Sequence, residues 1–246
     1  MKVAIVGGGG RVGSNAALCL QFEAVAREIV LVDIAQDMAA GETLDLRHGS
    51  SLAGSQVFTS GGYEAVEGAD ILVITAGLRR KPDESRLDLI NRNVGLFRTI
   101  LEECKKVKLA DDSVVVVVSN PVDVLTYLAV KEFNVPAERV IGLGTLLDTT
   151  RFRSLVADFL GVDPLSVNTL MLGEHGDSMV PVWSSATLGG VPISSHPKGS
   201  PENLAEVTEF TRKSGAEVIR LKGGAGYAVG WAIRELVKAI ADDTRA

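Results

Sequence analysis

Short apolar runs ending in glycine or a polar turn alternate with amphipathic stretches through the first 143 residues. Lys2 to Val6, Glu28 to Asp33, Gln56 to Thr59, Ile71 to Thr75, Val114 to Val118 and Val140 to Gly142 read as strands. Their interior positions are all apolar, which predicts parallel strands covered on both faces. Between them the period lengthens to that of a helix, over residues 14–20, 37–48 and about 83–107. The longest stretch sets Leu87, Ile90, Val94, Phe97, Leu101 and Cys104 at spacings of three and four, one apolar face. Pro121, which needs no N–H at a helix start, opens the helix before the sixth strand.

After Leu143 the alternation stops. A helix to about Leu160 leads to a β-rich run, Val167 to Leu172, then to a strand Val182 to Leu188, a Gly189-Gly190 turn and Val191-Pro192-Ile193. Ser200-Pro201 starts a helix with Leu204, Val207, Thr211, Gly215, Val218 and Leu221 on one face, broken at Gly223-Gly224. A last helix spans about 226–241. The expected fold is α/β: a doubly wound parallel sheet of Rossmann type over 1–143, then a mixed α/β catalytic domain over 144–246.

The first strand runs into Gly7-Gly8-Gly9-Gly10-Arg11-Val12-Gly13. Gly8, Gly10 and Gly13 fit G-x-G-x-x-G; Gly7, Gly10 and Gly13 fit G-x-x-G-x-x-G equally well. Either presents backbone N–H groups at a helix N-terminus, where a pyrophosphate binds. The strand before and the helix after are the setting that separates a nucleotide loop from an ordinary glycine turn. The second strand ends in Asp33, 20 residues after Gly13, where a carboxylate accepts hydrogen bonds from a ribose diol. Asp33 would repel a 2′-phosphate, so NAD is expected rather than NADP.

In 246 residues, hydrophobic side chains make up 46%, enough for a sizeable core, and aromatics only 5%, so that core is aliphatic. A net charge of −6 argues against a nucleic-acid binder, and no basic run suggests a membrane surface. Cys19 and Cys104 both fall in helical apolar patterns and read as small buried hydrophobes, which fits reducing cytosol. The chain opens on a strand, so no signal peptide is expected, and no run is long enough to span a membrane.

Candidate chemistry follows the strand ends. Leu78-Arg79-Arg80-Lys81-Pro82-Asp83-Glu84-Ser85-Arg86 is a cationic stretch after the fourth strand, at the crevice where open α/β sheets bind ligands. Such a run is usually a solvated face. Arg86, however, opens a helix, where the dipole disfavours a cation and a bound anion would favour it. Asn120 closes the fifth strand, and Asp148 and Arg151 share a helix face. His175, one of three histidines, stands in Leu172-Gly173-Glu174-His175-Gly176-Asp177-Ser178. By itself a histidine in a glycine turn is more often structural than catalytic, yet an imidazole at a strand end suits acid/base work near neutral pH.

Together these residues resemble the lactate/malate dehydrogenase family. The resemblance rests on the glycine loop, Val32-Asp33-Ile34, Thr75-Ala76-Gly77, Arg80-Lys81-Pro82 to Arg86, Ser119-Asn120-Pro121, Leu147-Asp148-x-x-Arg151 and Gly173 to Ser178. It implies an NAD-dependent 2-hydroxy acid dehydrogenase with no metal. His175 would exchange the substrate proton, Asp148 would orient the imidazole, Arg151 would grip the substrate carboxylate, and Arg86 would polarise the carbonyl. Asn120 would bind substrate and cofactor, with Gly8, Gly10, Arg11, Val12, Gly13, Asp33, Asn93 and Val118 completing the cofactor site. Arg80 matches the malate type, because a cation there can neutralise a second carboxylate; the expected substrate is therefore a dicarboxylate, malate or oxaloacetate. A lactate or other 2-hydroxy acid dehydrogenase with the same machinery is the alternative, and a nucleotide-binding module without turnover is another. The resemblance also implies a cytoplasmic homodimer or homotetramer. In two respects the chain departs from the family: its glycine loop is one residue longer, and it stops before the family's last strands and C-terminal helix.

Overall fold

The computed structural model describes residues 1–78 and 85–244, with Arg86 represented by its backbone. Six strands form a parallel sheet: β1 Lys2–Val6, β2 Glu28–Val32, β3 Val57–Gly61, β4 Ile71–Ile74, β5 Val114–Val117 and β6 Val140–Gly142. Their order is β3-β2-β1-β4-β5-β6, with Val3 in register with both Ile29 and Ile71. All of β4 and all but the first residues of β1 and β2 are buried, because helices cover both faces of a doubly wound sheet. The strand order reverses between β1 and β4, the point where such sheets leave a crevice outside their carboxyl ends.

The helices of this part are α1 Arg11–Phe22, α2 Gln36–Ala53, α3 Arg86–Cys104 and α4 Val122–Glu132. α2 runs five residues past the expected end, to Ala53, with Gly54 as its cap residue. α3 starts later than the apolar pattern suggests, at Arg86, because Ser85 caps it: the Ser85 hydroxyl accepts from the Asp88 N–H at 3.1 Å. The apolar face is buried only in the later turns. Leu87 is 65% exposed, whereas Phe97, Leu101 and Cys104 pack with Leu125 and Ala129 of α4. Pro121 is the cap residue of α4 rather than its first residue.

The remaining elements are α5 Thr145–Leu160, β7 Val167–Asn168, β8 Met171–Leu172, β9 Val180–Pro181, β10 Thr187–Leu188, β11 Val191–Pro192, α6 Pro201–Lys222 and α7 Tyr227–Asp242. The chain divides into two compact units, one holding residues 1–143 with the chain from Val229 on, the other Gly144 to Ala228. α7, expected with 144–246, thus clusters with the first unit from Val229 on, where its Gly230 meets the Asn15 carbonyl of α1.

In the second unit Phe152, Val156 and Leu160 of α5 form a core with Val167, Met171, Met179 and Val207. Two strand expectations need correction. The run Val167 to Leu172 is not one strand: β7 pairs with β10 and β8 with β9, so the chain changes sheet at Thr169-Leu170. Val182 to Leu188 contributes only β10. Trp183 sits in a 3-10 turn, its indole N–H donating to Thr208 at 3.1 Å and its ring meeting Phe152 edge-on, so side-chain anchoring replaces strand alternation. No helix among the described residues is long and apolar enough to cross a membrane.

Candidate active site

In the first unit the predicted glycine loop and Asp33 lie together at the carboxyl ends of β1 and β2. The N–H groups of Gly7 and Gly8 both donate to the Val32 carbonyl, at 2.8 and 3.0 Å, which folds the loop over the end of β2. Gly7 has φ +89°, and a Cβ on it would lie 2.6 Å from the Ala76 nitrogen. A Cβ on Gly13 would lie 2.3 Å from the Gly7 carbonyl oxygen. Both positions therefore admit only glycine; a Cβ on Gly8 would likewise lie 2.7 Å from the Leu31 Cβ, so the packing accommodates either glycine spacing. Gly10 is the cap residue of α1 and provides no side-chain cap, so Gly10, Arg11, Val12 and Gly13 turn a helix N-terminus toward the crevice. The Asp33 carboxylate accepts from the Gly9 N–H at 3.1 Å and from the Ala35 N–H at 3.0 Å. Its remaining lone pairs fit a ribose diol, and a glycine cradle beside a helix N-terminus fits a pyrophosphate. The residues present thus suit a dinucleotide.

Asn93 is 4% exposed and is engaged by backbone: its side-chain oxygen accepts from the Leu78 N–H at 2.8 Å and its amide donates to the Leu89 carbonyl at 3.0 Å. It ties the chain after β4 to α3. Val118 follows β5 and donates to the Ile74 carbonyl at 2.9 Å. Asn120 is exposed at the same end, its side-chain oxygen accepting from the Val122 N–H at 3.3 Å. Ser119 went unassigned in the sequence. It is buried and donates to the Ala76 carbonyl at 2.6 Å, holding the β4 and β5 ends together.

In the second unit three predicted residues meet. Asp148 lies in the first turn of α5, where a carboxylate complements the helix dipole. It is 1% exposed, and both of its oxygens are engaged. Oδ1 accepts from Arg151 Nη1 at 3.2 Å, and Oδ2 lies 2.6 Å from His175 Nδ1. An ionised carboxylate only accepts, so Nδ1 carries the proton and Nε2 is the nitrogen that can exchange one. Two cationic or proton-donating partners compensate a charge buried this deeply. Arg151 itself lies against α6 at Gly215, where a Cβ would come within 3.1 Å of Nη1. Past His175, Ser178 donates to Glu174 at 2.6 Å and closes the loop on itself.

Sequence reasoning passed over two residues that frame this loop. Thr149 exchanges hydrogen bonds with the backbone of Met171, and Arg212 donates to the Met179 carbonyl at 3.0 Å. Neither carries a motif; a threonine beside a buried aspartate was the only hint. Arg80 lies outside the described residues, and of Arg86 only the backbone is described, as the first residue of α3. Among the described residues no cluster of three or more His, Cys, Asp or Glu is placed to hold a metal.

Residues 1–142 match the profile of the lactate/malate dehydrogenase NAD-binding domain, and residues 145–246 that of the lactate/malate dehydrogenase alpha/beta C-terminal domain. The chain belongs to the lactate/malate dehydrogenase family. It is an NAD-dependent enzyme of that family, and NAD is its cofactor. An L-lactate dehydrogenase of Clostridium botulinum is 41% identical over 251 residues, 99% of this chain and 77% of the relative. One from Kosmotoga olearia is 41% identical over 252 residues, with the same coverage of both chains. Among solved structures, the minor L-lactate dehydrogenase of Enterococcus mundtii superposes with a TM-score of 0.93 at 41% identity, covering 100% of this chain and 79% of that one.

These relatives overturn the expectation of a malate dehydrogenase, and the dicarboxylate substrate falls with it. The expectation rested on one cation in the run Arg79-Arg80-Lys81. A cation selects a second carboxylate only when it is desolvated against it, a condition that sequence position alone does not set.

Proposed function

We propose that this chain interconverts a small 2-hydroxy monocarboxylate of the L-lactate type and its 2-oxo acid. The observation that carries the reading is the Asp148–His175 contact of 2.6 Å with Arg151 on the same carboxylate. The identity of about 41% to L-lactate dehydrogenases supports the monocarboxylate. In the oxidation direction His175 Nε2 takes the proton of the substrate hydroxyl. Asp148 stabilises the resulting imidazolium and fixes the ring, since its buried oxygen accepts from Nδ1 in both protonation states. Arg151 offers a planar guanidinium to the substrate carboxylate, a bidentate fit a lysine could not make. Arg86 polarises the carbonyl as negative charge develops there, and Asn120 adds a hydrogen bond to the substrate. Gly8, Gly10, Arg11, Val12, Gly13, Asp33, Asn93, Val118 and Asn120 hold or shape the cofactor site. Bound NAD supplies the hydride acceptor, and NADH the donor.

The test is NADH oxidation with pyruvate and with oxaloacetate as separate substrates. Pyruvate should be turned over with the higher kcat/KM; faster oxaloacetate reduction, or none with either, would overturn the reading. A cytoplasmic location belongs to the same reading, supported by two free, buried cysteines, and cell fractionation checks it. So does assembly with copies of itself, supported by the exposed Phe22–Trp231 stack. Light scattering that finds a monomer would count against that part.

A further inference from the structure

The Asp148–His175 geometry spans a gap of 27 residues, so something must fix the start of α5 against the strand that leads to the histidine. That strand is short. β8 holds only Met171 and Leu172, and Met171 pairs with Pro181, which has no N–H to give. Val182 donates instead to the Leu170 carbonyl at 2.9 Å, one residue along. The N–H and C=O of Met171 therefore face away from β9, and Met171 is 1% exposed. Unpaired, two buried backbone groups would be costly.

The Thr149 hydroxyl meets both. It accepts from the Met171 N–H at 2.9 Å and donates to the Met171 carbonyl at 3.3 Å. One side chain of α5 thus takes the place of a neighbouring strand. One turn further along α5, Arg153 donates to the Thr169 carbonyl at 3.0 Å, on the same side of the segment. Beyond the loop, Arg212 holds the Met179 carbonyl. Thr149 adjoins Asp148 in sequence, and Met171 precedes His175 by four residues. The hydroxyl clip consequently sets the distance between the imidazole and the carboxylate that orients it.

We infer that Thr149 is a positioning residue of the reaction, acting through the Met171 backbone to hold His175 on Asp148; the inference rests on the proposed roles of that pair. It touches neither substrate nor cofactor. Thr149→Val keeps the shape and removes both hydrogen bonds, while Thr149→Ser keeps the hydroxyl.

The experiment measures kcat and KM for pyruvate, NADH affinity by fluorescence, and the low-field proton NMR signal of His175 Nδ1–H, identified by its loss in His175→Asn. Thr149→Val should lower kcat by about 100-fold, the effect of a displacement of order 1 Å between reacting groups, with NADH affinity unchanged and the low-field signal shifted or lost. Thr149→Ser should restore both turnover and signal. A Thr149→Val protein that melts earlier yet keeps parental kcat and signal would show a merely structural role and overturn the inference. Should Thr149→Val not fold, Thr149→Ala carries the same two outcomes. Parental activity in His175→Asn would instead sink the functional reading itself. An inactive His175→Asn beside a fully active Thr149→Val would sink this inference alone.

Discussion

At the scale of single residues, Asp148 carries most of the site's electrostatics. Its carboxylate is almost fully buried, and its two oxygens face different partners, one an arginine and one an imidazole. An amide in its place could still accept a hydrogen bond, but it could not stabilise an imidazolium, and a flipped amide would force the wrong tautomer. Asp148→Asn should therefore lower kcat by about 10²- to 10⁴-fold, the range for a positioned acid/base and its orienting carboxylate. NADH affinity should be unchanged, because every residue that shapes the glycine cradle lies in the other unit. Stopped-flow turnover and a fluorescence titration check the two halves of this expectation; a parallel loss of NADH binding would contradict it.

At the scale of elements, the loop between β1 and α1 is defined by backbone packing. The Gly7 and Gly8 amides share one carbonyl of β2, and Gly13 stands directly on the Gly7 carbonyl. Gly13→Ala must push the first turn of α1 off the loop, since the three atoms its Cβ would meet all belong to backbone. The cost should be about 1–3 kcal/mol, as for other overpacked sites, with weaker NADH binding. Calorimetry on the free protein and an NADH titration test it, and an unchanged Tm would refute the packing argument. α3 makes the opposite point. Its apolar face reads as continuous from Leu87 to Cys104, yet only the turns over the sheet bury it. A helical period says which residues share a face, and the neighbouring element says how far along that face is covered.

At the scale of the whole molecule, the core of the first unit contains a thiol with no reactive partner. Burial pushes the Cys104 thiol up to about 12 from an ordinary 9.0. Burial likewise raises Cys19, which nearby Arg234 only partly offsets. In the folded protein Cys104 keeps its proton up to about pH 12, whereas the unfolded chain releases it above pH 9. The unfolded state thus binds fewer protons across that window, and stability must fall as pH rises through it, at up to about 1.4 kcal/mol per pH unit. Below pH 9 the contribution is fully present. Cys104→Ala should start from a lower stability, for the lost packing, and show a shallower alkaline decline. Urea melts at a series of pH values read this directly, and identical slopes in the two proteins would contradict the assignment.

Much of this protein was legible in its sequence because the physics is local. Buried parallel strands need uninterrupted apolar runs, so six strands were visible. A pyrophosphate needs backbone at a helix N-terminus, so glycines marked the loop, and Asp33 marked NAD. Asp148, Arg151 and His175 were nameable through a family resemblance carried by short motifs, and the structure brings the three together on one carboxylate. Substrate choice was misread, because the selectivity of one cation depends on its desolvation and not on its place in the chain. Tertiary structure alone decided the rest: that Val167 to Leu172 serves two sheets, that α7 joins the first unit, and that a threonine hydroxyl supplies Met171 with the partner its strand lacks. These outcomes depend on which buried polar groups end up facing each other across long stretches of chain, and no local period encodes that.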